Sequence, residues 1–272
     1  MQMEVRAKKA LGQHFLTDLS IARRIVDALE VSPEKAPARV LEVGPGMGVL
    51  SQYLLERQDV DLKMIEIDTE SVNYLLTHFP KAYGRVLEGD FLKMNLPVIY
   101  KDSPFHVIGN FPYNISSQIF FKILDCRTMV PQVVCMVQKE VAERIAEQPG
   151  SKTYGILSVL LQAWYDIEYL FTVGSGAFAP PPKVQSAVIR LRRNSRTTLG
   201  CDEALFKSVV KTAFGQRRKT LRNCLKPLVQ AKAQREGWDA AATAEFTSAP
   251  IWDLRPERLG VEDFIALTQT LA

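Results

Sequence analysis

Cysteine and histidine are scarce, with four and three in 272 residues. Cys126, Cys135, Cys201 and Cys224 contain no CxxC pair, and His14, His78 and His106 stand apart. That scatter argues against a metal site or a disulfide framework. Thiols without a pairing pattern fit a reducing cytoplasm. No apolar run approaches the roughly 20 residues of a membrane-spanning helix. The opening Met1-Gln2-Met3-Glu4-Val5-Arg6 also lacks the apolar stretch of a secretion signal. There are no internal repeats and no low-complexity tracts.

At 47% hydrophobic and 24% charged, the composition is that of a globular chain large enough to bury a core without staples. Its net charge of +4 conceals a division. Residues 1–180 hold 18 Lys and Arg against 21 Asp and Glu, whereas residues 181–272 hold 16 against 9. The basic C-terminal part suits an anionic partner, although a solvated helical surface carries the same signature.

Ile21, Ile25, Val26 and Leu29 recur at helical spacing, so a helix is expected from Asp18 to Leu29, capped by Thr17 or Asp18. Pro33 and Pro37 mark a loop. Strands follow at Arg39–Val43, Val60–Ile67, Arg85–Glu88, Phe105–Ile108 and Gln132–Val137, with helices at Val49–Arg57, Thr69–Phe79 and Ser116–Leu124. This alternation predicts an α/β domain with a parallel sheet covered on both faces. Tyr165–Thr172 and Val184–Leu191 are β-rich and read as an antiparallel addition at the sheet edge. Beyond Asn194 the pattern is helical, broken near Pro227, Gly237, Pro250 and Pro256. A boundary falls near 193–200, giving a sheet domain over 1–193 and a smaller all-helical domain over 194–272.

Open parallel sheets bind ligands beyond the carboxyl ends of their strands. Three strand ends carry suitable chemistry. The first runs Glu42-Val-Gly44-Pro-Gly46-Met-Gly48, a turn that lets backbone approach a ligand; alone it could be a tight strand–helix connection. Its GxGxG spacing is not the GxGxxG of dinucleotide sites. Glu66 ends the next strand, where a carboxylate can accept both hydroxyls of a ribose. Asp90 ends the third and could accept from an adenine amine while Phe91 packs nearby. Each acid singly could be a cap or a solvated turn residue; together they suit an adenosine.

The fourth strand ends Gly109-Asn110-Phe111-Pro112-Tyr113-Asn114. Asn110 offers a side-chain carbonyl, and Phe111 a backbone carbonyl stiffened by Pro112. Two fixed acceptors can hold both hydrogens of an exocyclic amine and turn its lone pair out of ring conjugation. Tyr113 can stack on the base. The competing reading is a turn with buried aromatics.

These motifs together resemble S-adenosylmethionine-dependent amino-methyltransferases with a Rossmann-like sheet. Leu11-Gly-Gln13-His14-Phe15-Leu16, Gly109-Asn-Phe-Pro-Tyr-Asn-Ile-Ser116, Phe178-Ala-Pro-Pro-Pro-Lys-Val-Gln-Ser186 and Phe214-Gly-Gln-Arg-Arg-Lys-Thr-Leu-Arg-Asn223 resemble, more narrowly, the KsgA/RsmA family of small-subunit rRNA adenine dimethyltransferases. The resemblance implies dimethylation of the N6 amines of two adjacent adenosines near the 3′ end of 16S rRNA, in ribosome biogenesis. It implies that Gln13, His14 and Leu16 close over the cofactor and that Gly44 and its neighbours cradle the methionine part. Glu66 would hold the ribose and Asp90 the adenine. Asn110 would serve both methyl transfer and the target amine, with the base sandwiched by Tyr113 and Phe178.

His14 stands where the family usually has Asn, so its cofactor contact must come from backbone or imidazole. Phe111 stands where Leu or Ile is common, and only its carbonyl is needed. Arg217, Arg218, Lys219 and Arg222 fall within about two helical turns, with Arg218 and Arg222 on one face. Lys8, Lys9, Arg190, Arg192 and Arg193 could extend a phosphate-binding surface. The expected protein is a cytoplasmic monomer acting on the small ribosomal subunit or its precursor. Two rivals are the related large-subunit rRNA methyltransferase of macrolide resistance and an idle RNA-binding assembly factor.

Overall fold

Nearly continuous apolar runs become the inner strands of one seven-stranded sheet in the computed structural model, which describes residues 5–31 and 37–272. Nine strands occur among these residues: β1 (Phe15–Leu16), β2 (Ala38–Val43), β3 (Val60–Glu66), β4 (Val86–Glu88), β5 (His106–Asn110), β6 (Gln132–Gln138), β7 (Tyr165–Val173), β8 (Phe178–Ala179) and β9 (Ser186–Arg193). The sheet order is β4-β3-β2-β5-β6-β9-β7, and β1 pairs separately with β8. Strands β2 to β6 pair in parallel, and β9 runs antiparallel to β6. The α/β reading and its antiparallel edge are therefore observed. Six of the seven residues of β6 are buried, as a parallel strand covered on both faces requires. Val40, Leu62, Met64, Ile108, Val134 and Val188 carry one core through neighbouring strands.

From β2 the chain winds outward through β3 to β4, then returns to the other side of β2 as β5. That reversal opens a crevice at the carboxyl ends of β2 and β5, where such sheets bind ligands. Gly109 lets the two strands meet there, because a Cβ on it would stand 2.5 Å from the Val43 carbonyl oxygen.

The first expected helix is present as Leu19–Asp27, and Asp18 is its cap, accepting from the amides of Ser20 at 2.9 Å and Ile21 at 3.1 Å. The helix expected over Val49–Arg57 contracts to Ser51–Leu54, because the chain leaves β2 through a turn with left-handed glycines. The loop expected at Pro33 and the first four residues lie outside the described residues.

The chain divides into two compact units. One holds the described residues up to Ala142 with Asp166–Arg193, the other Glu143–Tyr165 with Asn194–Ala272. The crossing at Arg193 lies at the expected boundary, but segment 143–165 groups with the C-terminal helices. Its helix Ile156–Gln162 buries Leu157, Val159, Leu160 and Leu161 and packs against the helices Glu203–Gly215 and Val261–Leu271. A buried helix of under three turns has little polar face to set its period.

Candidate active site

Strand register brings the expected carboxylates to one rim. Glu42 lies opposite Ile108 in β5, two residues before Asn110, and Glu66 lies opposite Glu88, two before Asp90. Between these strand ends opens a cavity of about 250 Å³. It is lined by Gln13, His14 and Leu16, by Glu42, Gly44, Gly46 and Glu66, by Asp90 and Phe91, and by Asn110, Phe111, Pro112 and Tyr113. Glu42, Glu66 and Asp90 are its acids, and its lining among the described residues includes no lysine or arginine. Such a rim disfavours a pyrophosphate and favours a ligand with positive charge and hydroxyl donors.

Glu66 organises the glycine turn. Its Oε2 accepts from the Gly46 amide and its Oε1 from the Asp68 amide, each at 2.9 Å. Gly46 can turn that amide inward because φ is +55°, a value costly for other residues. Burial raises the Glu66 carboxyl above its usual range, against the pull of those backbone amides. Spare lone pairs on both oxygens remain for hydroxyls. Asp90 accepts from the Leu92 amide at 2.9 Å and keeps a quarter of its side chain exposed, while Phe91 is buried.

Glu42 is 1% exposed and takes the Ser51 hydroxyl at 2.7 Å. Burial pushes its carboxyl up to about 8; the Ser51 hydroxyl opposes this and the Glu66 carboxylate adds to it. In the unfolded chain the same group ionises near 4.5. Its contribution is thus full below that value and lost as pH rises through the folded value. Ligand-free protein should lose up to a few kcal/mol of stability from this group between about pH 5 and 8. Urea midpoints across that range should show Glu42→Gln with a flatter slope than the parent. Parallel slopes would refute a neutral Glu42.

Asn110 donates from Nδ2 to the His14 carbonyl at 3.1 Å, and its Oδ1 is buried with no partner among the described residues. An orphaned buried acceptor costs stability unless a ligand satisfies it. His14 donates from Nδ1 to the Pro180 carbonyl at 2.9 Å, and its ring stacks on Tyr113 with centroids 5.4 Å apart. The Tyr113 hydroxyl bonds to Ser186.

Phe178 is the exception among the expected pocket residues. It does not line the cavity: β8 pairs with β1, opposing Phe178 to Leu16, and the ring is buried in the core. His14, not Phe178, is the ring against Tyr113 here. Ile67 is one lining residue the sequence did not mark. It lines the cavity with half of its side chain exposed. In sequence it looks like the last apolar residue of a strand, and only its exposure marks it as ligand-facing.

The basic residues divide by environment. Lys8 pairs with Asp68 and Glu70, while Lys9 is exposed. Arg190 and Arg192 both pair with Glu30 and Glu168, so these two arginines stitch the sheet edge instead of forming a bare cationic face, and Arg193 also has partners. In the second unit the expected continuous helix is absent. The helix ends at Gly215, residues 216–219 turn, and Leu221–Cys224 forms a separate short helix. Arg218 and Arg222 therefore share no helical face. The Cys224 thiol bonds the carbonyls of Gln216 at 3.2 Å and Lys219 at 3.4 Å, which tightens the turn. Arg217 donates to the carbonyls of Lys152 and Tyr154. Arg222 bonds the Thr247 carbonyl and Asp253, each at 2.7 Å. Arg218 and Lys219 are exposed.

Among the described residues no helix is long and apolar enough to cross a membrane, and no cluster of three or more His, Cys, Asp or Glu could hold a metal ion. A family model described as ribosomal RNA adenine dimethylase matches residues 4–242. A ribosomal RNA small subunit methyltransferase A of Parabacteroides distasonis is 58% identical over 264 residues, covering 97% of this chain and 93% of the relative. A dimethyladenosine transferase from Plasmodium falciparum superposes with a TM-score of 0.74 at 23% identity, covering 95% of this chain and 96% of that one. The 23S rRNA methyltransferase ErmE gives 0.62 at 26% identity, covering 94% and 99%.

Proposed function

This chain belongs to the ribosomal RNA adenine dimethylase family, and we propose that it transfers methyl groups from S-adenosylmethionine to the N6 amines of two adjacent adenosines near the 3′ end of 16S rRNA. The observation that carries the reading is the unpartnered Asn110 Oδ1 at the rim of a cavity lined by acids. Glu66 would take the ribose hydroxyls, Asp90 the adenine amine, and Ile67 and Phe91 the apolar faces of the ring. Glu42 and the Gly44–Gly46 turn would face the methionine part. When bound, the cofactor would supply a methyl group on positively charged sulfur; as the N–C bond forms the S–C bond would break, S-adenosylhomocysteine would leave, and the methylated nitrogen would give its proton to water. Asn110 Oδ1 and the Phe111 carbonyl hold the two hydrogens of the amine, which turns its lone pair toward the cavity. Positioning and carbonyl dipoles supply the acceleration. Tyr113 stacks on the base whatever its methylation state, so a second transfer tolerates the loss of one hydrogen bond, about 1 kcal/mol.

The small-subunit relative at 58% identity favours 16S rRNA over the large-subunit rival, and the intact Asn-Phe-Pro-Tyr motif disfavours an idle assembly factor. On this reading the protein works as a monomer in the cytoplasm, in ribosome biogenesis. Nucleoside mass spectrometry after incubation with unmethylated small and large subunits tests it. Monomethyladenosine should appear and be consumed on small subunits. Transfer confined to large subunits, or a product that stops at one methyl, would overturn the assignment.

Binding to the subunit would fall to the second unit, at the turn that presents Arg218 and Lys219. Reversing both to Glu should weaken subunit binding and flatten its salt slope by about one unit per lost phosphate contact. Cofactor affinity should not change. A wild-type salt slope would show this turn to be merely solvated. Arg222→Glu is a poor probe, because it breaks the contacts to Thr247 and Asp253.

A further inference from the structure

Residues 10–16 form one wall of the cavity, and what holds that wall is a cluster whose ionic members, Lys8, Asp68 and Glu70, do not line it. Its centre is Asp68, whose carboxylate is 2% exposed. That carboxylate receives the Lys8 ammonium, the Ser71 hydroxyl at 3.0 Å and the Gln13 amide Nε2 at 3.3 Å. Lys8 also reaches Glu70 at 3.2 Å. Gln13 closes the loop by accepting the Lys8 backbone amide at 2.8 Å. Burial raises the Asp68 carboxyl, but the bonds from Lys8, Ser71 and Gln13 outweigh it and keep the group ionised.

Asp68 acts in two directions. Its backbone amide donates to Glu66 Oε1, and its side chain holds the arm. At the other side of the cavity the arm is held by the amine motif: Asn110 donates to the His14 carbonyl at 3.1 Å and Asn114 to the Ala10 carbonyl at 3.4 Å. The arm thus bridges the carboxylate rim and the Asn-Phe-Pro-Tyr loop. Of these two attachments only the one at Asp68 is ionic.

We infer that Asp68 and Lys8 are positioning residues: their ion pair latches residues 8–16 over the cavity and sets how long the cofactor stays. Neither side chain would touch the reacting atoms. Lys8 is then spent on the latch, not on RNA phosphate. The inference rests on the reading that the cavity binds S-adenosylmethionine, and the experiment separates the two.

Dissociation of S-adenosylmethionine is followed by stopped flow in the full chain, in Lys8→Met, Lys8→Arg and Asp68→Asn, and in the Lys8→Met/Asp68→Asn double variant. Lys8→Met should release the cofactor about tenfold faster, the size of one charge-assisted bond. The KM for S-adenosylmethionine should rise with it, while kcat at saturation falls much less. Lys8→Arg should restore slow release, since a guanidinium reaches both carboxylates. The double variant should be no faster than Asp68→Asn, because the two side chains share one interaction. The salt slope of subunit binding should be unchanged in Lys8→Met. Wild-type release in Lys8→Met, additive effects in the double variant, or a flattened salt slope would each overturn the latch. Absence of binding to the unaltered chain would overturn the cofactor reading, and the latch with it.

Discussion

Replacing Asn110 by alanine is expected to lower methyl transfer by about 10²–10³-fold, the usual cost of removing one preorganised polar group at a reacting centre. Subunit affinity should stay within about twofold, because phosphate contacts dominate such interfaces. The geometry explains why the loss should fall on turnover. Nδ2 is already committed to the His14 carbonyl, which fixes the side chain and points Oδ1 as a free acceptor. Alanine removes the acceptor and the anchor together. Aspartate restores an acceptor but adds charge to a rim that already holds the acids Glu66 and Asp90, so it should rescue poorly. Single-turnover measurements on unmethylated small subunits at saturating cofactor decide the matter. Turnover within a few-fold of wild type would show that the assigned chemistry is wrong.

The second large effect is expected at the carboxylates. Asp90→Ala and Glu66→Ala each remove an acceptor for a ligand donor, and charge-assisted bonds of this kind are worth roughly 1.5–3 kcal/mol, or about 10- to 150-fold in Kd. The two should differ. Asp90 makes only local contacts, to the Leu92 amide and the exposed Lys93 ammonium, so its loss falls mainly on the ligand. Glu66 also anchors the amides of Gly46 and Asp68, so its removal loosens the glycine turn and the base of the arm. Glu66→Ala should therefore weaken S-adenosylmethionine binding more and lower the unfolding midpoint as well. Calorimetry and denaturant titration measure both. Unchanged affinity in both variants would remove these residues from the site.

Most of the cavity was legible in the sequence because its residues sit at the ends of strong, locally encoded elements. Apolar runs set β2, β3 and β5, and a strand whose length is known places its last side chain. Glu42, Glu66, Asp90 and Asn110 could thus be assigned to one rim before any contact was known. What no local pattern could show depended on partners distant in sequence. The two-residue strands β1 and β8 pair across more than 160 positions and have no periodicity of their own. That pairing turns Phe178 into the core and leaves His14 facing Tyr113. The basic segment after Gly215 has good helix formers, yet it turns, held by the Cys224 thiol.

The sequence by itself determined the parallel α/β sheet, the family, the residues gathered at each strand end and the charge division between the two parts of the chain. These rest on local patterns: side-chain period, turn glycines and short motifs whose meaning does not depend on distant neighbours. Only the tertiary structure decided which charges are free. Arg190, Arg192, Arg222 and Lys8 look alike in sequence to Arg218 and Lys219, but the first four are neutralised by carboxylates brought from elsewhere in the chain. It also decided that segment 143–165 joins the C-terminal helices, and that the N-terminal arm is tied to Asp68. An ion pair or a packed helix face is a property of two surfaces, and a linear sequence states only one of them at a time.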